Sequence, residues 1–227
     1  LAYPTPHSPD NDFTIVYLDA HQFNRMTPAT VNETLIIFTR YPEPGKTKTR
    51  MIPALGEEGA ANLQRQMTEN TLAKAKKLQA FHPVSVEIHF AGGNQQLMQA
   101  WLGADVIYSQ QSEGDLGERM VSAFEKSLAA EMKGVVIIGT DCPDLNPQIM
   151  AEAFKWLETQ DLVLGPAQDG GYYLIGLRRL IPELFVGIHW GTSQVRQQTV
   201  EIAERLGLAI ASLPILHDID RPEDLGR

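Results

Sequence analysis

Four consecutive β-branched residues, Val135-Val136-Ile137-Ile138, run straight into Gly139-Thr140-Asp141-Cys142-Pro143-Asp144. A short apolar run without alternation describes a strand buried on both faces, as in a parallel sheet covered by helices. In sheets of this kind ligands bind just beyond the carboxyl ends of the strands. Asp141 stands there, two residues past a glycine that lets the chain turn, and Pro143 keeps the strand from continuing. Two readings of it are open. A carboxylate on that rim suits a hard divalent cation held against a phosphate. Equally, Asp141 and Asp144 suit caps of the helix expected to begin near Pro147.

A chain of 227 residues has room for one substantial α/β domain. Its net charge of −9, with no long basic run, argues against a nucleic-acid surface, though not against one anionic ligand. The single Cys142 excludes an intrachain disulfide and suits a reducing compartment. No stretch approaches the ~20 apolar residues needed to span a bilayer. The start of the sequence lacks the basic and apolar pattern of a signal peptide, so a cytoplasmic protein is expected. Residues 1–30, rich in proline and polar residues, read as either a leader or an added edge strand.

The first strong strand, Thr34–Phe38, leads into Thr39-Arg40-Tyr41-Pro42-Glu43-Pro44-Gly45-Lys46-Thr47-Lys48-Thr49-Arg50. Prolines and a glycine make this a loop, and Arg40, Lys46, Lys48 and Arg50 load it with positive charge. A solvated loop accounts for such charge, but its place after the first strand of an acidic chain favours a phosphate site. The glycine spacing is not that of a P-loop, so ATPase chemistry is not indicated.

Helical spacing of Leu63, Met67, Leu72, Ala75 and Leu78 predicts a helix over 56–80, followed by a strand over 84–91 and a short helix over 95–102. Residues 107–117 then hold a polar loop, Gln110–Gly117, with two glycines. Asp115 and Glu118 have the spacing of a capping box, so Asp115 suits a helix cap or a ligand contact. A helix over 148–159 and a buried strand over 161–166 precede Asp169-Gly170-Gly171-Tyr172-Tyr173. Paired glycines there mark a tight turn or a close approach to a ligand; the tyrosines suit core or substrate platform. His189-Trp190-Gly191-Thr192-Ser193 introduces a helix to about Leu206, with Thr192 or Ser193 as its cap. A last strand over 208–213 leads to Asp218-Ile219-Asp220, where alternation puts both carboxylates on one side.

Taken together, these segments carry a resemblance. Arg40–Arg50, Gly114–Met120, Gly139–Leu145, Asp169–Leu177 and His189–Thr192 resemble the nucleotide-diphospho-sugar transferase superfamily with the GT-A fold. Within it they are similar to a small bacterial glycosyltransferase-like family known as DUF2064, linked to arsenosugar biosynthesis and also called radical-SAM/selenodomain-associated transferases. The tail, Asp218–Leu225, looks like the closing motif of related nucleotidyltransferases. The resemblance covers the chain from about residue 34 to its end. It implies an α/β fold with an open, mainly parallel, Rossmann-like sheet, helices on both faces, and nucleotide over the N-terminal half, in a single domain over 31–227. By resemblance Asp141 matches the metal-binding aspartate, and Lys46 and Arg50 match the basic loop facing the phosphates. Two departures stand out: no Asp-X-Asp follows the central strand, and the first loop lacks the glycine-rich pattern of the nucleotidyltransferases.

The expectation drawn from this is a metal-dependent glycosyltransferase acting on a nucleoside-diphosphate sugar and a small acceptor. Mg²⁺ or Mn²⁺ would sit on Asp141 with Asp220 as second carboxylate; Arg40, Lys46, Arg50 and Asp115 would meet the nucleotide and its phosphates. Asp141 and Asp169 are the catalytic candidates, Asp169 as the base for the acceptor. Gly170, Gly171, Tyr172 and Trp190 would form the sugar or acceptor pocket. Nucleotidyl transfer and a catalytically silent nucleotide-binding module remain as alternatives.

Overall fold

The computed structural model describes residues 31–225; the expectations for residues 1–30 lie outside them. Seven strands occur among the described residues: β1 (Glu33–Arg40), β2 (Ser85–Ala91), β3 (Ile107–Gln110), β4 (Gly134–Ile138), β5 (Leu162–Pro166), β6 (Tyr172–Leu177) and β7 (Ile210–Ser212). They form one sheet in the order β3-β2-β1-β4-β6-β5-β7. All run the same way except β6, which is antiparallel to both β4 and β5. The fold is a mixed α/β architecture with a mostly parallel sheet.

Every residue of β4 is buried, as its unbroken apolar run requires, because helices cover both faces. Alternation within the neighbouring strands assigns the two layers. Leu35 and Ile37 join Val136 and Ile138 against α1 (Ile52–Gln79), α2 (Gln95–Leu102) and α4 (Pro147–Leu157). Ile36, Val135 and Ile137 face the other way, toward Met120 and Phe124 of α3 (Leu116–Ala129) and Ala203 of α5 (Val195–Arg205). The strand order reverses between β1 and β4, where the sequence runs outward to β3 and then crosses back. A crevice is expected at the carboxyl ends of that pair.

Local details differ from the sequence reading in four places. Gly56, at φ 71° and ψ 172°, breaks the run of α1, so the regular helix starts beyond it. Residues 107–110 form an edge strand that the sequence reading did not assign, half exposed and therefore without an apolar signature. Asn146, not Asp141 or Asp144, caps α4, its Oδ1 accepting from the backbone N–H of Ile149 at 3.0 Å. Neither Thr192 nor Ser193 caps α5; Gln194 holds that position without a side-chain bond, and the Thr192 hydroxyl donates to the His189 carbonyl. No helix among the described residues is long and apolar enough to cross a membrane.

Candidate active site

The carboxyl ends of β1, β2, β4 and β5 and the start of β6 surround a cavity of about 410 Å³. Thr39 and Arg40 end β1, Ala91 ends β2, Gly139–Cys142 follow β4, and Asp169 follows β5. Arg119 reaches in from the first turns of α3, Trp190 from the segment ahead of α5, and Asp218 and Asp220 from the tail. A second cavity of about 630 Å³ adjoins it, sharing Asp169, Asp218 and Asp220.

One wall is acidic. Asp141, Asp169, Asp218 and Asp220 all line the cavity, although they are scattered over 80 positions of sequence. The tail is held in place by main chain: Leu216 donates to the carbonyl of Pro166, and Ile219 donates to the carbonyl of Asp141 at 2.8 Å. Asp224 accepts from the backbone N–H groups of Asp220 and Arg221 and so fixes the turn that follows. Burial, and then the neighbouring Asp169 carboxylate, push the Asp218 carboxyl above its ordinary range. Burial and the charges of Asp218, Asp141 and Asp169 push the Cys142 thiol up, so it stays protonated and unreactive at neutral pH.

Two arginines, Arg40 and Arg119, also line the cavity. Arg40 and Arg119 form no ion pair among the described residues, in a chain of net charge −9. Arg119 donates through Nε to the Gly114 carbonyl at 2.9 Å, which aims its fork without neutralising it. An uncompensated arginine beside a cavity is a ready partner for a phosphate.

Under the floor lies a polar network. Gln64, on α1, donates to the hydroxyls of Thr39, Thr68 and Thr140 at 3.2, 3.1 and 3.4 Å, and Thr39 and Thr68 bond each other at 2.7 Å. Thr140 donates in turn to Asp141 Oδ1 at 3.2 Å. All four network residues are buried, so the ends of β1 and β4 are locked to α1 beneath the catalytic candidates. Gly117 completes the packing: a Cβ there would lie 2.7 Å from Cζ2 of Trp190, so only glycine lets the indole close the cavity.

The loop after β1 is where side-chain direction overturns the sequence-based choice. Lys46 turns outward to Glu43 at 2.7 Å and is 68% exposed, away from the cavity. Lys48 is the lysine that turns inward. Its Nζ lies 3.1 Å from Asp141 Oδ1, 3.7 Å from Asp220 Oδ1 and 2.6 Å from the Ile219 carbonyl, with the side chain 4% exposed. Arg50 pairs with the other oxygen of Asp220 and lines the second cavity. Asp115 lines neither cavity; it caps α3 in a reciprocal box with Glu118. Gly170 and Gly171 shape the turn without lining the cavities: a Cβ on Gly170 would lie 2.2 Å from the Ser193 carbonyl oxygen, and Gly171 N–H donates to Asp169 Oδ1 at 2.8 Å. Tyr172, Trp190, Asp141, Asp169, Asp220 and Arg40 do line the main cavity. Gln64, Arg119 and Asp218 join the predicted residues there, and Lys48 reaches two of the lining carboxylates without lining the cavity itself. Of these, Gln64 left a readable trace, since it recurs with Thr68 and Thr71 on the helix face that should be apolar.

A protein-family profile described as "uncharacterized protein conserved in bacteria (DUF2064)" matches residues 71–192. The chain belongs to the DUF2064 family. A solved structure similar to this DUF2064 chain is that of a candidate nucleotide-diphospho-sugar transferase from Desulfovibrio desulfuricans G20. The two share 36% identity over 86% of this chain and 85% of that one, with a TM-score of 0.80. Fold alone is shared with the inositol-1-phosphate CTP transferase of T. maritima, at 13% identity, 86% and 91% coverage and a TM-score of 0.54. The same holds for glucosyl-3-phosphoglycerate synthase of Mycobacterium tuberculosis, solved with Mn²⁺, UDP and glucosyl-3-phosphoglycerate, at 15% identity, 87% and 76% coverage and a TM-score of 0.52. No curated protein matches the chain in sequence. The DUF2064 chain therefore has the transferase fold of the nucleotide-diphospho-sugar superfamily.

That superfamily resemblance implies a divalent cation between Asp141 and Asp220. The donor set does not fit one held by the protein. The two carboxylates already share the Lys48 ammonium, and Arg50 takes a further oxygen of Asp220. No group of three or more His, Cys, Asp or Glu side chains among the described residues is arranged to hold a metal ion.

Proposed function

We propose that this DUF2064 protein transfers a glycosyl group from a nucleoside-diphosphate sugar to the hydroxyl of a small acceptor. The observation that carries the reading is a single cavity lined both by four aspartates and by two arginines that form no ion pair among the described residues. A diphosphate is an anion and belongs against Arg40 and Arg119; sugar hydroxyls are donors and belong against carboxylates. Nucleotidyl transfer brings a triphosphate and a phosphorylated partner together, and Asp169 and Asp218, which form no ion pair among the described residues, are the wrong charge for both.

In the proposed step the acceptor hydroxyl attacks the anomeric carbon, and its proton passes to a carboxylate of the acidic wall. The bond from that carbon to the β-phosphate oxygen breaks, and the electron pair leaves with the diphosphate. Asp218 suits the role of base, because burial raises its affinity for the incoming proton and it lines the cavity. Asp169 has one oxygen engaged by Gly171 N–H, which suits a positioning role toward the sugar. The arginines stabilise the charge that grows on the leaving group, a contribution of about 3 kcal/mol for one well-placed donor.

The test is incubation of the protein with a panel of nucleotide sugars and small hydroxylated acceptors, with products separated by charge. Release of nucleoside diphosphate with a glycosylated product is the expected result. Pyrophosphate release from a nucleoside triphosphate and a sugar phosphate, without nucleoside diphosphate from any sugar donor, would overturn it in favour of nucleotidyl transfer.

A further inference from the structure

The position between Asp141 and Asp220 is occupied by part of the chain itself. We infer that the Lys48 ammonium stands where a divalent cation would bridge these two carboxylates, making this a transfer site organised without a metal ion. The inference deepens the proposed transferase reading and rests on it for its catalytic meaning, though its geometry is independent of any reaction.

Lys48 contacts three oxygens from two distant segments: Asp141 after β4, and Ile219 and Asp220 in the tail, 171 positions away in the case of the Ile219 carbonyl. The ammonium donates to the Ile219 carbonyl, and the two carboxylate oxygens face it as ion-pair partners at 3.1 and 3.7 Å. At 4% exposure it has little water, so these oxygens must carry its solvation, and withdrawal would strand a charge. The two carboxylates are moreover in balance with two cations, Lys48 and Arg50. A dication added to this set would find no net negative charge left on the pair to offset its own.

The backbone holds the ammonium in place. Lys48 adopts a left-handed conformation, φ 46° and ψ 44°, that a residue bearing a side chain seldom takes. Its carbonyl accepts from Met51 N–H at 2.7 Å, and Met51 is fully buried. Thr47, also buried, donates to the Glu43 carbonyl at 2.9 Å and ties the preceding turn. The lysine stem therefore leaves a fixed turn, pointed at the carboxylates from behind, while Asp141 and Asp220 keep 45% and 32% of their side-chain surface accessible. Lys48 is a positioning residue: it joins the rim of β4 to the tail and presents both carboxylates to the cavity.

Mn²⁺ alone is the probe, followed by the electron paramagnetic resonance signal of the free ion during titration. Wild type is expected to bind no more Mn²⁺ than its Asp141→Asn variant. Lys48→Ala is expected to gain a site, at least about tenfold tighter, because repulsion between a single and a double positive charge a few ångströms apart is removed. Adding Asp141→Asn to Lys48→Ala should erase that gain. Lys48→Met, which keeps the apolar stem, serves if the alanine variant does not fold. One equivalent of Mn²⁺ bound by wild type and lost in Asp141→Asn, or no gain on removing the Lys48 charge, would overturn the inference. Neither readout depends on turnover, so a failure of the glycosyl-transfer reading would leave this result separately legible.

Discussion

Replacing Gly117 by alanine sets two known effects against each other. Gly117 lies in the first turn of α3, and alanine in a helix is favoured over glycine by about 1 kcal/mol. Propensity alone therefore predicts a stabilised protein. The structure predicts the reverse. The new Cβ would sit 2.7, 2.9 and 3.0 Å from three atoms of the Trp190 ring, and a rigid indole packed against the core can yield only as a whole. Overpacking of this kind costs about 1–3 kcal/mol, and three simultaneous close contacts put it toward the upper end. The net is about 1–2 kcal/mol of destabilisation, which lowers Tm by about 2–8 °C in a domain of this size. Thermal melts and urea titrations measure the loss, and tryptophan emission reports the displaced ring. In a Trp190→Phe background the smaller ring removes the collision, and since the indole N–H has no hydrogen-bond partner among the described residues, no polar contact among them is lost with it. There the alanine should turn neutral or stabilising, giving a coupling above about 1 kcal/mol in the double-mutant cycle. A higher Tm for Gly117→Ala in the wild-type background, with unchanged emission, would refute the reasoning.

Asp218 yields a pH signature. Its folded pKa lies above the ordinary 3.8, so the native state holds the proton more tightly than the unfolded chain; the stabilising proton is fully present below 3.8 and lost as pH rises through the folded pKa. Asp218→Asn should raise Tm at pH 7 and lose that advantage toward pH 4, as melts across this range will show. The wild-type acid limb of kcat/KM should fall above the usual carboxylate range and disappear in the variant. Arg119→Ala should leave the melting curve nearly unchanged but weaken nucleoside diphosphate binding by about 10–100-fold in calorimetry, the value of one charge-assisted hydrogen bond to phosphate.

Sequence carried the frame of the molecule further than it carried the site. Val135–Ile138 announced a doubly covered strand because burial on both faces demands an unbroken apolar run, and the strand is buried throughout. Ile107–Gln110 gave no such signal, because an edge strand half open to solvent has no face that must be apolar. The basic loop after β1 was visible as charge, but not which lysine would turn inward. That choice depends on the left-handed backbone at Lys48 and on oxygens supplied from the far end of the chain, neither of which local spacing encodes. Asp141 at the rim and Asp218 and Asp220 on one side of an extended tail were legible from a proline stop and from alternation; their meeting with Asp169 was not. Arg119 was hidden by its setting, since a helix-start segment with a good capping box already has a sufficient structural explanation.

The tail has a further consequence for the order in which the protein becomes competent. Residues 216–220 leave the ribosome after every strand of the sheet, yet they bring two carboxylates of the acidic wall and the carbonyl that receives Lys48. Without that segment the cleft lacks two of its four aspartates, and Lys48 keeps only Asp141 among its three oxygens. Docking of residues 216–220 closes that gap in one event, so completion of the candidate cleft follows assembly of the sheet that precedes it in sequence.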